Sequence, residues 1–202
     1  RDGLASDASP NNSGAGIWVK SRSNLTLRNA RLVDNAASGS GGNGGGIYSQ
    51  GTLTVEDATL TGNSAAGRGG GISGSGIFTN VTAENNSAGS SGGGINSGNN
   101  STFTNVAVEN NSAGDGGGGI ASNNSTFTNV TAKNNSTDGR GGGIFSNNNS
   151  TFTNVTVRNN SAGSRGGGMY SINNNTFTDV TVENNSADRE GGGIYGSGTF
   201  TD

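Results

Sequence analysis

The sequence predicts an all-β chain wound as a parallel (right-handed) β-helix solenoid, and three observations carry that prediction. A glycine run closed by an aliphatic residue, Gly44-Gly45-Gly46-Ile47, returns at Ile72, Ile95, Ile120, Ile144, Met169 and Ile194, at intervals of 23 to 25 residues. A second phrase fills each interval, seen most fully as Thr151-Phe152-Thr153-Asn154-Val155-Thr156-Val157-Arg158-Asn159-Asn160-Ser161-Ala162. Third, the large apolar residues are sparse but in step: only 27% of the 202 residues are hydrophobic and 40 are glycine, yet Phe103, Phe127, Phe152 and Phe177 hold matching places. Such a composition without a period would indicate disorder. With a fixed period it indicates one supersecondary unit stacked many times.

Residues 1–13 match the repeat poorly and are expected to form an N-terminal arm or docking segment. Residues 14–202 are expected to form a single β-helix of about eight rungs, about 24 to 25 residues each, the last incomplete. The first rung opens on a degenerate copy, Gly14-Ala15-Gly16-Ile17, and the interval from Ile17 to Ile47 carries an extra Ser-Gly-rich loop from Ala36 to Gly44. Within each later rung the apolar residues alternate over short stretches, which is the period of strands; triple glycine and paired asparagine oppose helix. In Thr-Phe-Thr the Phe points one way and both Thr the other, and in Val-Thr-Val the two Val share a face. The chain then turns at Asn-Asn-Ser-Ala, turns again through the glycines, and enters a third strand at Ile-Phe-Ser or Ile-Tyr-Ser. At about 4.8 Å per rung the stack should be a rod on the order of 35 to 40 Å long.

One rung offers Ile144, Phe152, Val155, Val157 and Ala162 to the interior, each large member worth roughly 1.5 to 3 kcal/mol on burial. Rung-to-rung backbone pairing and ladders of identical side chains are expected to add to this. The column Asn63, Asn86, Asn111, Asn135, Asn160 and Asn185 lies three residues after an apolar residue each time. It reads as an inner or turn-capping Asn ladder. Glycines of the run are expected at positive φ or at close approaches of neighbouring rungs.

At these residues a resemblance appears. Gly-Gly-Gly-Ile paired with an apolar-x-x-Asn phrase, as in Leu60-Thr61-Gly62-Asn63 and Val108-Glu109-Asn110-Asn111, resembles the GGA[ILV] and FxxN repeats of the chlamydial polymorphic outer membrane proteins. More broadly it is similar to the right-handed β-helix repeats of large bacterial surface proteins. The third glycine stands for the family's alanine, and Val, Leu or Ala for the Phe of FxxN. The resemblance covers residues 14–202 and implies secretion to the cell surface and adhesion.

Several function classes can be weighed on residue types. The chain has no histidine and no cysteine, which removes the commonest general base and any thiolate metal site. No enzyme activity and no cofactor are expected. The charged column Glu84, Glu109, Lys133, Arg158 and Glu183 reads as a solvated ladder alternating in sign, with Glu84 and Glu109 its one like-charged pair, worth at most about 1 kcal/mol per opposite pair. Asp115, Asp138 and Asp188 occupy turn positions, but Arg68, Arg140 and Arg165 precede the glycines of other rungs, so a calcium ladder is not expected. A net charge of −3 with mixed signs marks neither nucleic acid nor an anionic membrane as a partner, and no apolar run approaches the roughly 20 residues of a membrane span.

Three surface readings remain. Roughly eighteen Asn-x-Ser/Thr sequons recur in register, making Asn80, Asn110, Asn129, Asn134, Asn154, Asn159 and Asn184 candidates for N-glycosylation, with the inner ladder spared. The outward pairs Thr102/Thr104, Thr126/Thr128, Thr151/Thr153 and Thr176/Thr178 form two expected columns about 7 Å apart with a 4.8 Å step, resembling the ice-binding face of β-helical antifreeze proteins, although Ile77, Glu56 and Arg28 interrupt it. The sequence stops at Phe200-Thr201-Asp202 within a repeat, which leaves two expectations open: a piece of a longer stalk, or head-to-tail self-association into a fibre. The expected function is an extracellular structural stalk or filament subunit carrying glycans, with a cell-surface adhesin passenger domain and an ice-binding protein as the alternatives.

Overall fold

The computed structural model describes residues 4–5 and 14–201. It is a parallel β-solenoid of about seven turns, about 25 residues per rung, with no helix among the described residues. Every strand pairing is parallel and links one rung to the next. Two-residue strands such as Ser112–Ala113 and Ser136–Thr137 build an eight-stranded sheet; the Ile, Phe and Val segments build a fifteen-stranded one. Eight strands in a column enclose about seven complete turns, so eight copies of the repeat and seven turns are the same object counted two ways.

Registration follows the sequence period. Ile17, Ile47, Ile72, Ile95, Ile120, Ile144, Met169 and Ile194 pair in one column, and Phe78, Phe103, Phe127, Phe152, Phe177 and Phe200 in another. Successive Phe rings stack at 4.5 to 5.1 Å between centroids. This spacing is close to the inter-strand distance, so the backbone ladder sets the ring stack. Around one rung the interior receives Ile120, Phe127, Val130, Ala132, Asn135 and Thr137, all buried.

The rung departs from three separate strands in one respect. Thr126–Lys133 is a single strand whose Phe and Val halves meet at Asn129, at φ 54°. The corner is one left-handed residue, not a turn, and the ladder continues on both sides of it: Thr128 pairs with Thr153 and Val130 with Val155. Met169–Glu183 even runs as one strand across the Ile, Phe and Val faces, joining all three into one sheet.

Each glycine of a run has its own reason, shown by Gly141-Gly142-Gly143. Gly141 has φ 69°. A Cβ on Gly142 would overlap the carbonyl oxygens of Gly167 and Ser161, and one on Gly143 would lie 2.8 Å from the Gly168 oxygen. Successive rungs approach closely at the run, and it still pairs: Gly142 N–H donates to Gly166 and Gly143 N–H to Gly168, at 3.1 and 2.9 Å.

Of the expected N-terminal segment, Leu4–Ala5 is described: its backbone pairs in parallel with Ala36–Ala37 and so adds a strand to the eight-stranded sheet. The rest of residues 1–13 lies outside the described residues, as does the arm expected there.

Candidate functional site

Each rung exposes narrow columns of identical chemistry, so a candidate site on this molecule is a column or the gap in one. The inner column is the most fully bonded. The Asn111 side-chain nitrogen donates to Ala83 O at 2.9 Å and to Asn135 Oδ1 at 3.0 Å, while its own Oδ1 accepts from the Asn86 backbone N–H at 2.9 Å and the Asn86 side chain at 3.0 Å. Asn63, Asn86, Asn135 and Asn160 repeat the pattern, and Asn185 continues it with a bond to Val157 O. Amide donors and acceptors are all spent, and the group caps the turn without meeting water. Asn35 belongs to the same ladder, donating from N–H and side chain to Asn63 Oδ1. It lies outside the six-residue column expected from the sequence, although Leu32-Val33-Asp34-Asn35 carries the same apolar-x-x-Asn spacing.

A second polar column at another corner was not expected. Ser101, Ser125, Ser150 and Asn175, each two residues before a Phe, are buried. Ser125 Oγ accepts the Ser101 N–H at 3.0 Å, Ser150 Oγ the Ser125 N–H at 3.1 Å and Asn175 Oδ1 the Ser150 N–H at 2.8 Å. Its signal was available in the Ser-Thr-Phe phrase, whose Ser falls on the inward side.

The glycosylation candidates divide into two columns, both exposed and both left-handed. Asn80, Asn129 and Asn154, with Asn105 between them, have φ of 52 to 55°. They are joined through their side chains: Asn105 donates to Asn80, Asn129 to Asn105 and Asn154 to Asn129, at 2.8 to 2.9 Å. Asn110, Asn134, Asn159 and Asn184 have φ of 53 to 55°, with one such bond, Asn134 to Asn110 at 3.1 Å. Where asparagine is missing from these columns, Asp34, Asp57, Asp179 or Gly62 replaces it, each at positive φ. Asn, Asp and Gly are the residues that tolerate this conformation. Backbone geometry therefore accounts for these columns without reference to a sequon.

The Thr pairs are unequal. Thr102, Thr126, Thr151 and Thr176 are exposed, while Thr104, Thr128, Thr153 and Thr178, beside the left-handed corner, are half-buried. The face is one open column and one recessed column, not two equal ones, because the chain bends at the next residue. Ile77, 51% exposed, interrupts the open column, and the Arg28–Glu56 ion pair at 2.6 Å interrupts the other. The hydrogen bond to Glu56 raises the pKa of Arg28.

In the charged column Glu84 pairs with Glu109, Glu109 with Lys133, Lys133 with Arg158 and Arg158 with Glu183. Lys133 and Arg158 are thus a second like-charged pair, and the expected alternation is corrected accordingly. Among the described residues the ion pairs lie elsewhere, at Arg28–Glu56 and Arg165–Glu190. Among the same residues no three His, Cys, Asp or Glu side chains group as a metal site would require, and no helix is long and apolar enough to cross a membrane.

Comparison with known families found the Chlamydia polymorphic membrane protein repeat in two stretches, residues 57–75 and 179–197. Each stretch starts at an aspartate in the left-handed corner, Asp57 or Asp179, passes through an inner-ladder residue, Asn63 or Asn185, and takes in a glycine run with its isoleucine, Ile72 or Ile194. No curated protein and no solved structure matches the chain. Two rungs of this β-solenoid therefore carry the Chlamydia polymorphic membrane protein repeat, which suggests a surface- or outer-membrane-associated β-helical protein.

Proposed function

We propose that the chain is an extracellular structural shaft, a rod that holds other segments away from a cell surface and has no catalytic role. The observation that supports this most directly is the continuity of the inner ladder, which links Asn35 to Asn185 rung by rung while the register of the Ile strands shifts at Gly98 and Asn175. A solenoid of this kind has nearest-neighbour stability and extends by adding units, which suits a spacer. The open face of any rung offers the same unpaired N–H and C=O groups that the next rung uses, so head-to-tail joining of rods into a fibre belongs to the same proposal. Glycans, where the source attaches them, would sheath the exposed Asn110 and Asn80 columns.

Electron microscopy of residues 1–202 produced by themselves in a glycosylating host, together with the intact mass of that product, tests this reading. Thin rods of constant width, longer than one chain's rungs and heavier than 19.8 kDa, are the expected result. Compact particles, or short rods that never join at the bare polypeptide mass, would refute the fibre and glycan parts of it.

A further inference from the structure

The residue that follows each core Ile forms a column that the repeat does not keep constant: Trp18, Tyr48, Ser73, Asn96, Ala121, Phe145, Tyr170 and Tyr195, of which Ser73, Ala121 and Tyr170 are covered by their neighbours. At one end its rings stack, Phe145 on Tyr170 at 5.2 Å and Tyr170 on Tyr195 at 5.3 Å. Arg140 covers Tyr170 at 5.2 Å and Arg165 covers Tyr195 at 5.1 Å, each arginine coming from the rung before its ring. By the same offset the residue that would cover Phe145 is Gly116, in register with Arg140. It has no side chain, and the Phe145 ring lies about where its Cβ would make contact, at 3.3 Å. The stack thus ends at Phe145, and the next three places hold Ala121, Asn96 and Ser73 before an aromatic returns at Tyr48. Four rung steps separate the two rings, about 19 Å.

A depression of about 200 Å³ lies in this gap, against Asn96 and Ala121. A second of about 370 Å³ flanks it on the turn side, and the two share Ser91 and Phe145. The larger is lined by Asp115 and Arg140, the smaller by Arg68, Asn96 and Asn123. Their walls combine one aromatic ring with amides, hydroxyls and guanidinium groups repeating along the rod. A pyranose chain matches this, having apolar C–H faces that stack on rings and hydroxyl rims that bond planar polar groups. Charge narrows the class. Arg68 and Arg140 stand at the two ends of the hollow, and, as for most arginines among the described residues, no carboxylate lies within ion-pair distance of either, Arg140 resting instead on the Tyr170 ring. Asp115 already accepts the Ser90 hydroxyl at 2.6 Å.

The geometry points to a binding trough, running from Phe145 and Arg140 to Arg68, for a linear acidic oligosaccharide that stacks on Phe145 and places carboxylates against the two arginines. This site does not depend on the shaft proposal.

Calorimetric titration of the full chain with a galacturonic acid tetrasaccharide, and with its methyl ester as the uncharged control, tests the assignment. The acid is expected to bind and the ester to bind at least about tenfold more weakly, with Arg140→Gln losing a similar factor for the acid. Ala121→Tyr puts into the gap the ring that neighbouring rungs already accommodate; it should keep the melting temperature and abolish binding. No binding of the acid at millimolar concentration, equal binding of the ester, or full binding by the Arg140→Gln chain overturns the proposal. The arginine is exposed, so that variant reports even if Ala121→Tyr fails to fold.

Discussion

Asn110 and Asn111 are neighbours in the chain and opposites in the structure. Asn111 is 1% exposed, with its amide fully bonded into the inner ladder; Asn110 is exposed and holds the backbone at φ 55°. The same side chain does two unrelated jobs one residue apart. Inside, hydrogen-bond capacity matters, because a buried amide with two donors and an acceptor satisfies turn groups that no water reaches. Outside, tolerance of left-handed backbone matters, and the side chain is secondary. Substitutions that look alike in sequence should therefore separate sharply in effect.

The largest separation is expected on removing the inner amide. Asn111→Ala leaves the Asn86 N–H, the Asn86 side-chain amide and Ala83 O without their partner, and should cost about 4 kcal/mol or more by chemical denaturation, at roughly 1 to 3 kcal/mol per buried unsatisfied group. Combining it with Asn135→Ala should cost less than the sum of the two, since the pair shares one bond and its unmet partners overlap. Additive losses would show that the ladder is a row of independent caps.

A smaller effect is expected outside. Asn110→Ala puts an ordinary residue in the left-handed region, for about 1 to 2 kcal/mol, while Asn110→Gly should be near neutral, because Gly62 holds the equivalent place at φ 67°. If Asn110→Gly proved as damaging as Asn111→Ala, the side chain and not the backbone would be what the outer column requires.

The mildest test leaves the sequence intact. Asn134-Asn135-Ser136-Thr137 contains two overlapping sequons, one on the exposed Asn134 and one on Asn135, which is 1% exposed. Glycopeptide mapping of folded chain secreted from a eukaryotic host should find sugar on Asn134 and none on Asn135. Sugar on Asn135 in folded material would be incompatible with the inner position of the ladder.

How much of this was legible beforehand depends on whether a feature repeats. The Ile and Phe columns, the inward Asn ladder and the parallel stack could be read directly, since each rung restates the same apolar-x-x-Asn and glycine phrases. The Ser101, Ser125, Ser150 and Asn175 column repeats as well, but serine beside threonine resembles ordinary surface polarity until the burial of the following Phe fixes its direction. The outer asparagines were legible as sequons and not as left-handed corners, although Asp57, Asp179 and Gly62 at equivalent positions carried that information. The trough at Phe145 was not legible, because it exists where the repeat is broken, at Gly116 and Ala121.

By itself, then, the sequence determined the fold class, the period and the register, because a rung that buries one Phe and one Ile per turn stacks only in step with its copies. Tertiary structure alone decided what the polar residues do. Whether an asparagine caps, bends or faces water depends on which side of a corner it falls, and a single left-handed residue moves that corner. The gap in the aromatic column likewise needs three dimensions, since Gly116 and Phe145 become neighbours only when successive rungs are stacked.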